Sequence, residues 1–295
     1  RVVDIYRPLW WLILNGPILT FRPSKSGKAY QKIWDKDNHG SPLRKFTINQ
    51  TSKLKKIFES YKNISIEYAM RYGTPEIEKT LNKMTKKGCS KILLVPLYPQ
   101  YAASTSATVK DEVFKWMLKQ RWQPDLRTIA PWFDNHNYIK ALAQTVKKHI
   151  INKDKLDKLI VSFHGIPKRY FMAGDPYHCH CIKSARLLKE ELKWPDDKIL
   201  VTFQSRFGPE PWLQPYTDET IIGLAKKGQK NIAVIAPGFI SDCLETLEEI
   251  NVEARELFIE NGGESFEYIP CLNDNEYSIK FLEHIIKQNL LGWNY

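Results

Sequence analysis

The sequence predicts an α/β protein of parallel sheets with helices packed on both faces. Three observations carry this. Short apolar runs of strand length recur at 64–70, 91–97, 159–163, 199–204 and 231–236. Amphipathic stretches of helical length separate them, the alternation that buries parallel strands between helix layers. A faint internal repeat also divides the 295 residues. Tyr72-Gly73-Thr74-Pro75 after one strand resembles His164-Gly165-Ile166-Pro167 after another. Likewise Pro96-Leu97-Tyr98, before a Ser/Thr-rich helix start, resembles Pro237-Gly238-Phe239 before Ser241-Asp242. Turn chemistry alone can repeat such a pattern, but two similar doubly wound units facing one cleft are the expected architecture. A chain of this length can bury one large core or two ordinary ones. The expected division is 1–150 plus 276–295 for the first unit, with the last helix packed back, and 151–275 for the second.

The elements follow in order. The segment 8–21 is rich in tryptophan and aliphatics, and Asn15, Gly16 and Pro17 interrupt it. Its unbroken apolar run falls short of the roughly 20 residues a membrane span takes. Two readings stand: a core helix ending at Asn15-Gly16, or an exposed apolar lip touching a membrane or a greasy ligand. Arg1, Arg7 and Arg22 flank it, which suits a membrane surface. A strand over 64–70 leads through Arg71-Tyr72-Gly73 to a helix at 76–84. The strand at 91–97 leads to Tyr98-Pro99-Gln100-Tyr101, and Ser104 and Thr105 open a helix through Leu118. Another helix covers 139–150. The strand 159–163 delivers His164 to a Gly-Pro turn. After it come a helix at 184–192, a strand at 199–204, a helix at 218–227, a strand at 231–236, a helix at 243–258 and a last helix at 278–290.

The net charge is +11, from lysines and arginines scattered rather than blocked. That balance favours acidic partners, but no nucleic-acid module or basic-aromatic repeat is present. Five cysteines without a paired framework suit a reducing cytosol. A cytoplasmic protein, touching the inner face of the membrane peripherally, is expected. The chain opens in mid-pattern without Met, as a fragment or processed chain would.

Four segments hold candidate chemistry. His164 ends a buried strand, where a sheet holds a side chain rigidly at the lip of a crevice. In 237–250, Asp242, Glu245 and Glu249 fall at i, i+3 and i+7, on one helix face. Asp242 as N-cap with Glu245 as its capping-box partner explains part of this stripe. A divalent metal or a proton relay explains its continuation to Glu249. His178, Cys179, His180 and Cys181 form a dense run of ligand types, but the alternate spacing lacks the two-residue gap of a structural zinc site. A turn at Gly174–Tyr177 leading into a helix accounts for them. The loop after Gln204 is rigid with proline and offers Arg206, Phe207, Trp212 and Tyr216. There is no Gly-rich phosphate loop, no GxSxG and no HExxH, so nucleotide binding, serine hydrolysis and zincin chemistry lack support.

Together these segments resemble the ferrochelatase family, enzymes that insert ferrous iron into a porphyrin. The resemblance rests on SFHGIPKRYF (162–171), GDPYHCHC (174–181), TFQSRFGPEPWLQPYTDE (202–219) and PGFISDCLETLEEI (237–250). Further agreement comes from GSPL (40–43), AMRYGTPEI (69–77), VPLYPQYAASTSATV (95–109) and YIPCLND (268–274). It is most similar to the proteobacterial type. The resemblance implies two Rossmann-like, chelatase-type domains around a porphyrin cleft and a lyase that forms haem b from protoporphyrin IX. It assigns catalysis to His164, Glu245, Asp242 and Glu249, and metal contact to His164 and Glu245. It assigns porphyrin contact to Trp10, Trp11, Arg71, Tyr72, Tyr98, Tyr101, Ser104, Thr105 and Phe239. Porphyrin and ferrous iron are then substrates and no cofactor is required. A [2Fe–2S] cluster is not expected, since the final 24 residues contain no cysteine. The family's first strand and its Asn-Leu-Gly-Gly-Pro-like loop precede the point where this chain starts, so the first unit is expected to lack that strand. A peripheral membrane contact through 8–21 follows, with either a monomer or a homodimer. The alternatives are a coproporphyrin enzyme, a cobalt or nickel tetrapyrrole chelatase, and a haem- or iron-binding protein that uses the cleft without turnover.

Overall fold

The computed structural model describes residues 6–35, 40–150 and 154–293, apart from the side chains of Arg7, Leu9, Pro17, Phe21, Arg22 and Lys25. Arg1 and the side chains of Arg7 and Arg22, the basic flank named above, lie outside the described residues.

Two parallel sheets organise the chain. In the first, β1 (Lys91–Leu94) pairs with β2 (Asp125–Thr128). Ile92 of β1 packs with Leu81 of α4 (Ile77–Lys86) and with Val113 and Trp116 of α5 (Ser106–Leu118). The second sheet has four strands: β3 (Lys158–His164), β4 (Ile199–Gln204), β5 (Asn231–Ile235) and β6 (Ser265–Ile269). Their spatial order is β4-β3-β5-β6 and every pairing is parallel. From β3 the chain first adds β4 on one side, then crosses back to place β5 on the other. That reversal opens a crevice at the carboxyl ends of β3 and β5.

Strand periodicity decides which side chain faces which layer. Leu159, Val161 and Phe163 of β3 enter the large core with α6 (His136–His149), α8 (Tyr177–Leu192) and α12 (Glu276–Leu290). Ile160 faces the other way, onto Ile221 of α9 (Thr217–Lys226) and Phe258 of α11 (Arg255–Glu260). His164 is two steps of two beyond Ile160 and shares that second face. The large core also takes Leu54 of α3 (Pro42–Ile57). The last helix, α12, packs on α3 and α6. Asn275 starts α12 by accepting from Ser278 N at 2.9 Å, and Asn135 does the same for α6, accepting from Asn137 N at 3.0 Å.

Several expected elements take another form. The segment 64–70 is extended, but among the described residues it has no ladder partner, only a bridge from Met70 to Glu76. Apolar pattern alone does not make a strand, because a neighbour must supply the hydrogen bonds. The helix expected to stop at Asn15-Gly16 continues: α1 (Arg7–Ile13), a π turn (Leu14–Ile18) and α2 (Leu19–Ile33) run on in succession. The π turn contains Pro17, which has no N–H to give to the helical ladder. The single helix expected over 243–258 is α10 (Leu244–Leu247), a π segment (Glu249–Ala254) and α11. Cys243 occupies the N-cap position, and its N–H donates to Thr246 Oγ1 at 3.0 Å. The Asp242–Glu245 capping box is therefore replaced, and Asp242 precedes the helix. The expected segments at 91–97, 104–118, 159–163, 199–204 and 231–236 coincide with β1, α5, β3, β4 and β5 to within three residues at each end. Short β2 and the helix α3 carried too weak a periodicity to be read, and β6 is seen only through its pairing with β5.

The aromatic cluster of Trp132, Tyr138 and Phe281 ties α12 to α6. Phe281 lies 4.9 Å from Trp132 and 5.7 Å from Tyr138, centroid to centroid, and is 1% exposed. Phe281→Ala is expected to cost about 3–5 kcal/mol through the cavity it leaves, read as a lower urea midpoint.

Candidate active site at the strand switch

The crevice between the ends of β3 and β5 collects the site. His164 is half-buried and its Nδ1 lies 2.6 Å from the Gly165 carbonyl oxygen. A carbonyl only accepts, so Nδ1 carries the proton and Nε2 is left as a base. Beside it in register on β4 is Gln204. Gln204 Nε2 donates to the Glu245 carbonyl oxygen at 2.7 Å and to Glu249 Oε2 at 3.4 Å. Gln204 Oε1 accepts from Ser162 Oγ at 2.8 Å, and Ser162 Oγ lies 3.0 Å from Thr217 Oγ1. Thr217 Oγ1 donates to Thr202 Oγ1 at 2.8 Å. This buried hydroxyl chain fixes the amide's orientation under the acidic segment. Ser205 follows at a φ of +65°, a left-handed conformation rare outside glycine. In that geometry its hydroxyl donates to Glu249 Oε2.

Glu249 is a carboxyl of the crevice whose pKa the fold displaces. Burial pushes it above the usual carboxylate range, and Glu245 adds to the rise. The Ser205 and Gln204 hydrogen bonds and the neighbouring His164 oppose it. His164, Glu245 and Glu249 therefore share one electrostatic neighbourhood, although Glu249 sits on the π segment rather than on an α-helical stripe.

The facing wall comes from the first half of the chain. Tyr98, half-buried, has its hydroxyl raised by burial, then by Tyr72, Cys243 and Glu245. Tyr30 of α2 is raised by burial and then by Glu245 and Cys243. Cys243 itself is pushed up by burial first and then by Glu245. Arg71 lies over the Tyr72 ring at 4.5 Å and meets Glu112 of α5 at 3.5 Å. The fold thus brings Tyr98 near Glu245, with Arg71 and the largely exposed Tyr72 beside Tyr98. Lys32 of α2 reaches Glu248 Oε1 at 2.9 Å and joins the 7–33 helix to that wall. Phe239 is half-buried against the β5 and α9 core. Tyr101, Ser104 and Thr105 lie half-buried in the loop before α5, and Thr105 is its N-cap residue. Trp10 is half-buried and Trp11 is 62% exposed. Leu12 beside it is 61% exposed, so α1 presents apolar surface outward. No helix of the described residues is long and apolar enough to cross a membrane.

Asp242 is 4% exposed and fully engaged. Its carboxylate accepts from Thr246 Oγ1 at 3.1 Å, Cys271 N at 3.3 Å, Asn273 Nδ2 at 2.6 Å and the Tyr268 hydroxyl. Asp242 N donates back to Asn273 Oδ1 at 2.8 Å. The carboxylate pins the start of the acidic segment to the loop after β6. His178–Cys181 lie in the first turns of α8, where successive residues point about 100° apart. His178 stacks near Phe203, His180 stacks on Phe133, Cys179 is exposed and Cys181 is buried. No set of three or more His, Cys, Asp or Glu among the described residues is grouped to hold a metal. Reading the sequence alone missed Gln204, Ser205 and Tyr30. A polar residue ending an apolar strand was the available signal for Gln204.

Comparisons with known proteins agree with this geometry. The ferrochelatase family model matches residues 1–290. The ferrochelatase of Allorhizobium ampelinum is 54% identical over 294 residues, covering 99% of this chain and 86% of that one. That of Rhizobium meliloti is 53% identical over the same length, covering 99% and 87%. Among solved structures, SirB from Bacillus subtilis with Fe3+ matches with a TM-score of 0.61 at 17% identity, covering 86% of this chain and 93% of that one. The sirohydrochlorin chelatase SirB from Bacillus subtilis subspecies spizizenii, in complex with cobalt, matches at 0.56 and 16%, covering 85% and 92%. These two likenesses establish the chelatase-type fold. This chain belongs to the ferrochelatase family, the metal-inserting lyases of haem synthesis.

Glu249 yields a stability prediction with a definite sign. Its folded pKa is raised, so the fold favours the neutral carboxyl and loses stability as pH climbs from the ordinary carboxylate range through the raised folded value. Glu249→Gln removes that cost. The variant should show a higher urea midpoint than the parent at pH 7, and the gain should vanish as the pH falls to the ordinary carboxylate range.

Proposed function

We propose that the crevice at the β3–β5 switch receives protoporphyrin IX and ferrous iron, with His164 as the proton acceptor. The observation that supports this most is the convergence of His164, with Nε2 left as a base, on the perturbed Glu249 carboxyl. Insertion needs a distorted ring, removal of two pyrrole protons and stripping of water from the metal. A planar ring hides its nitrogen lone pairs, so a wall of Tyr98, Tyr72 and Phe239 that grips a bent ring favours the transition state over the substrate. His164 takes a pyrrole proton at Nε2. Glu249, held above the usual range, exchanges protons onward. Glu245 guides hydrated iron toward the ring with oxygen ligands suited to a divalent cation. Asp242 acts by holding the acidic segment in place rather than by touching substrate. Arg71 and the loop at Tyr101, Ser104 and Thr105 meet the ring's polar edge. In this reading most ring-lining residues come from before residue 150, whereas Phe239, the base and the carboxylates come from after it.

The apolar lip favours protoporphyrin over a porphyrin with more carboxylates. Trp11, Leu12 and Leu19 are all more than half exposed, which also supports a peripheral membrane contact through 8–21.

The test is loss of porphyrin fluorescence with ferrous or zinc ion. Turnover beyond one equivalent is expected and separates a chelatase from a binder. His164→Ala should lower turnover by roughly 10²–10⁴-fold, the usual worth of a general base, while porphyrin still binds. Glu245→Gln should slow metal delivery without weakening porphyrin affinity. Near-normal turnover in the His164 variant would overturn the assignment. For the lip, the double substitution Trp11→Ser with Leu12→Ser should reduce cosedimentation with anionic vesicles by about tenfold, and unchanged partition would remove the membrane contact.

A further inference from the structure

The segment 174–181 supplies no ligand to the crevice, yet it holds the loop that lines it. Residues 98–105 have no strand partner among the described residues. Two of the loop's backbone N–H groups are satisfied by side chains from around the start of α8. Tyr101 N donates to His180 Nδ1 at 3.2 Å, and Ala103 N donates to Asp175 Oδ2 at 2.7 Å. Just before them, Gln100 Nε2 donates to Ser184 Oγ at 2.9 Å, one helical turn beyond His180. Asp175 is itself held, since Oδ1 accepts from Tyr177 N at 3.1 Å. The His180 ring lies flat on Phe133, 3.7 Å between centroids and 9° between planes. Ser184 Oγ then donates to Phe133 O at 2.7 Å and closes the set.

We propose that Asp175 and His180 are positioning residues for tetrapyrrole binding: they set the 98–105 loop, and with it Tyr98 and Tyr101, in the geometry that receives the ring. This rests on the placement of that loop in the porphyrin site. An N–H can only donate, so His180 serves with a lone pair at Nδ1 and its proton at Nε2. Burial lowers its pKa and keeps the imidazole neutral, with Lys183 acting in the same direction and Asp134 and Asp175 against it. His180 of the His/Cys run thereby has a role that calls on no metal.

The test compares three substitutions in the full chain. Asparagine puts its oxygen near the place of Nδ1, whereas glutamine puts it near Nε2. His180→Ala and His180→Gln should raise the porphyrin KM roughly five- to tenfold, the worth of one hydrogen bond, with kcat within about twofold. His180→Asn should restore KM to within about twofold of the parent. A side chain that only fills space would rank the larger glutamine above asparagine. That order, or a loss confined to kcat, overturns the proposal. If His180→Ala melts below the assay temperature, the asparagine–glutamine pair decides. Failure of the unsubstituted chain to bind porphyrin overturns the cleft assignment and this proposal together. Normal parent binding with three unchanged KM values overturns the positioning role alone.

Discussion

The site depends on β3 being paired on both sides. β4 and β5 flank it in parallel register, so its backbone is held along most of its length and His164 is delivered with little freedom. The same pairing creates the crevice, because the connections leaving β3 and β5 depart in opposite directions. Alternation along β3 then selects the face: Ile160 meets α9 and α11, and His164 shares that face and meets the acidic segment packed there. A one-residue slip in register would turn the imidazole into the opposite core.

The carboxylates need more support than the histidine, because each buried charge must find donors. Two polar clusters supply them. Gln204 and Ser205 hold Glu249 from below, backed by Ser162, Thr202 and Thr217. Asp242, Asn273, Tyr268 and Thr246 hold the start of the segment from behind. Gln50 of α3 extends the second cluster by donating to Asn273 O at 2.6 Å and Ser241 Oγ at 3.1 Å. The acidic segment is thus fixed to β4, to the loop after β6 and to a helix from the far half of the chain. Asp242 finds four donors in the second cluster, whereas Gln50 Oε1 at its far end is buried without a hydrogen-bond partner among the described residues, a cost the cluster carries.

The first half of the chain supplies the opposing wall with weaker means. It has a two-stranded sheet among the described residues, and its 98–105 loop is held by side chains from the second half. The 7–33 helix reaches the acidic wall through Lys32 and Tyr30. It keeps Trp11 and Leu12 outward. A greasy mouth over a charged interior suits a flat apolar ring whose chemistry takes place at central nitrogens.

Much of this was legible in the sequence. Apolar runs marked β1, β3, β4 and β5, and the Gly-Pro turn marked His164 as a strand-end residue. The acidic run marked Glu245 and Glu249. These are local signals: periodicity, turn chemistry and residue type within a window. What local pattern misjudged were features that depend on a partner. The 64–70 segment has strand composition but no ladder, and 243–258 has helical composition but opens into a π segment. Asp242 has the same charge as Glu249, yet four donors surround it while Glu249 is held above the usual carboxylate range. His180 has the look of a metal ligand, yet accepts from a backbone N–H 79 residues away. The sequence by itself determined the fold class, the family and the residue that ends β3. Only the tertiary structure decided which carboxylate is surrounded by donors and which is held above the usual range, because burial and hydrogen-bond partners come from contacts between residues far apart in the chain.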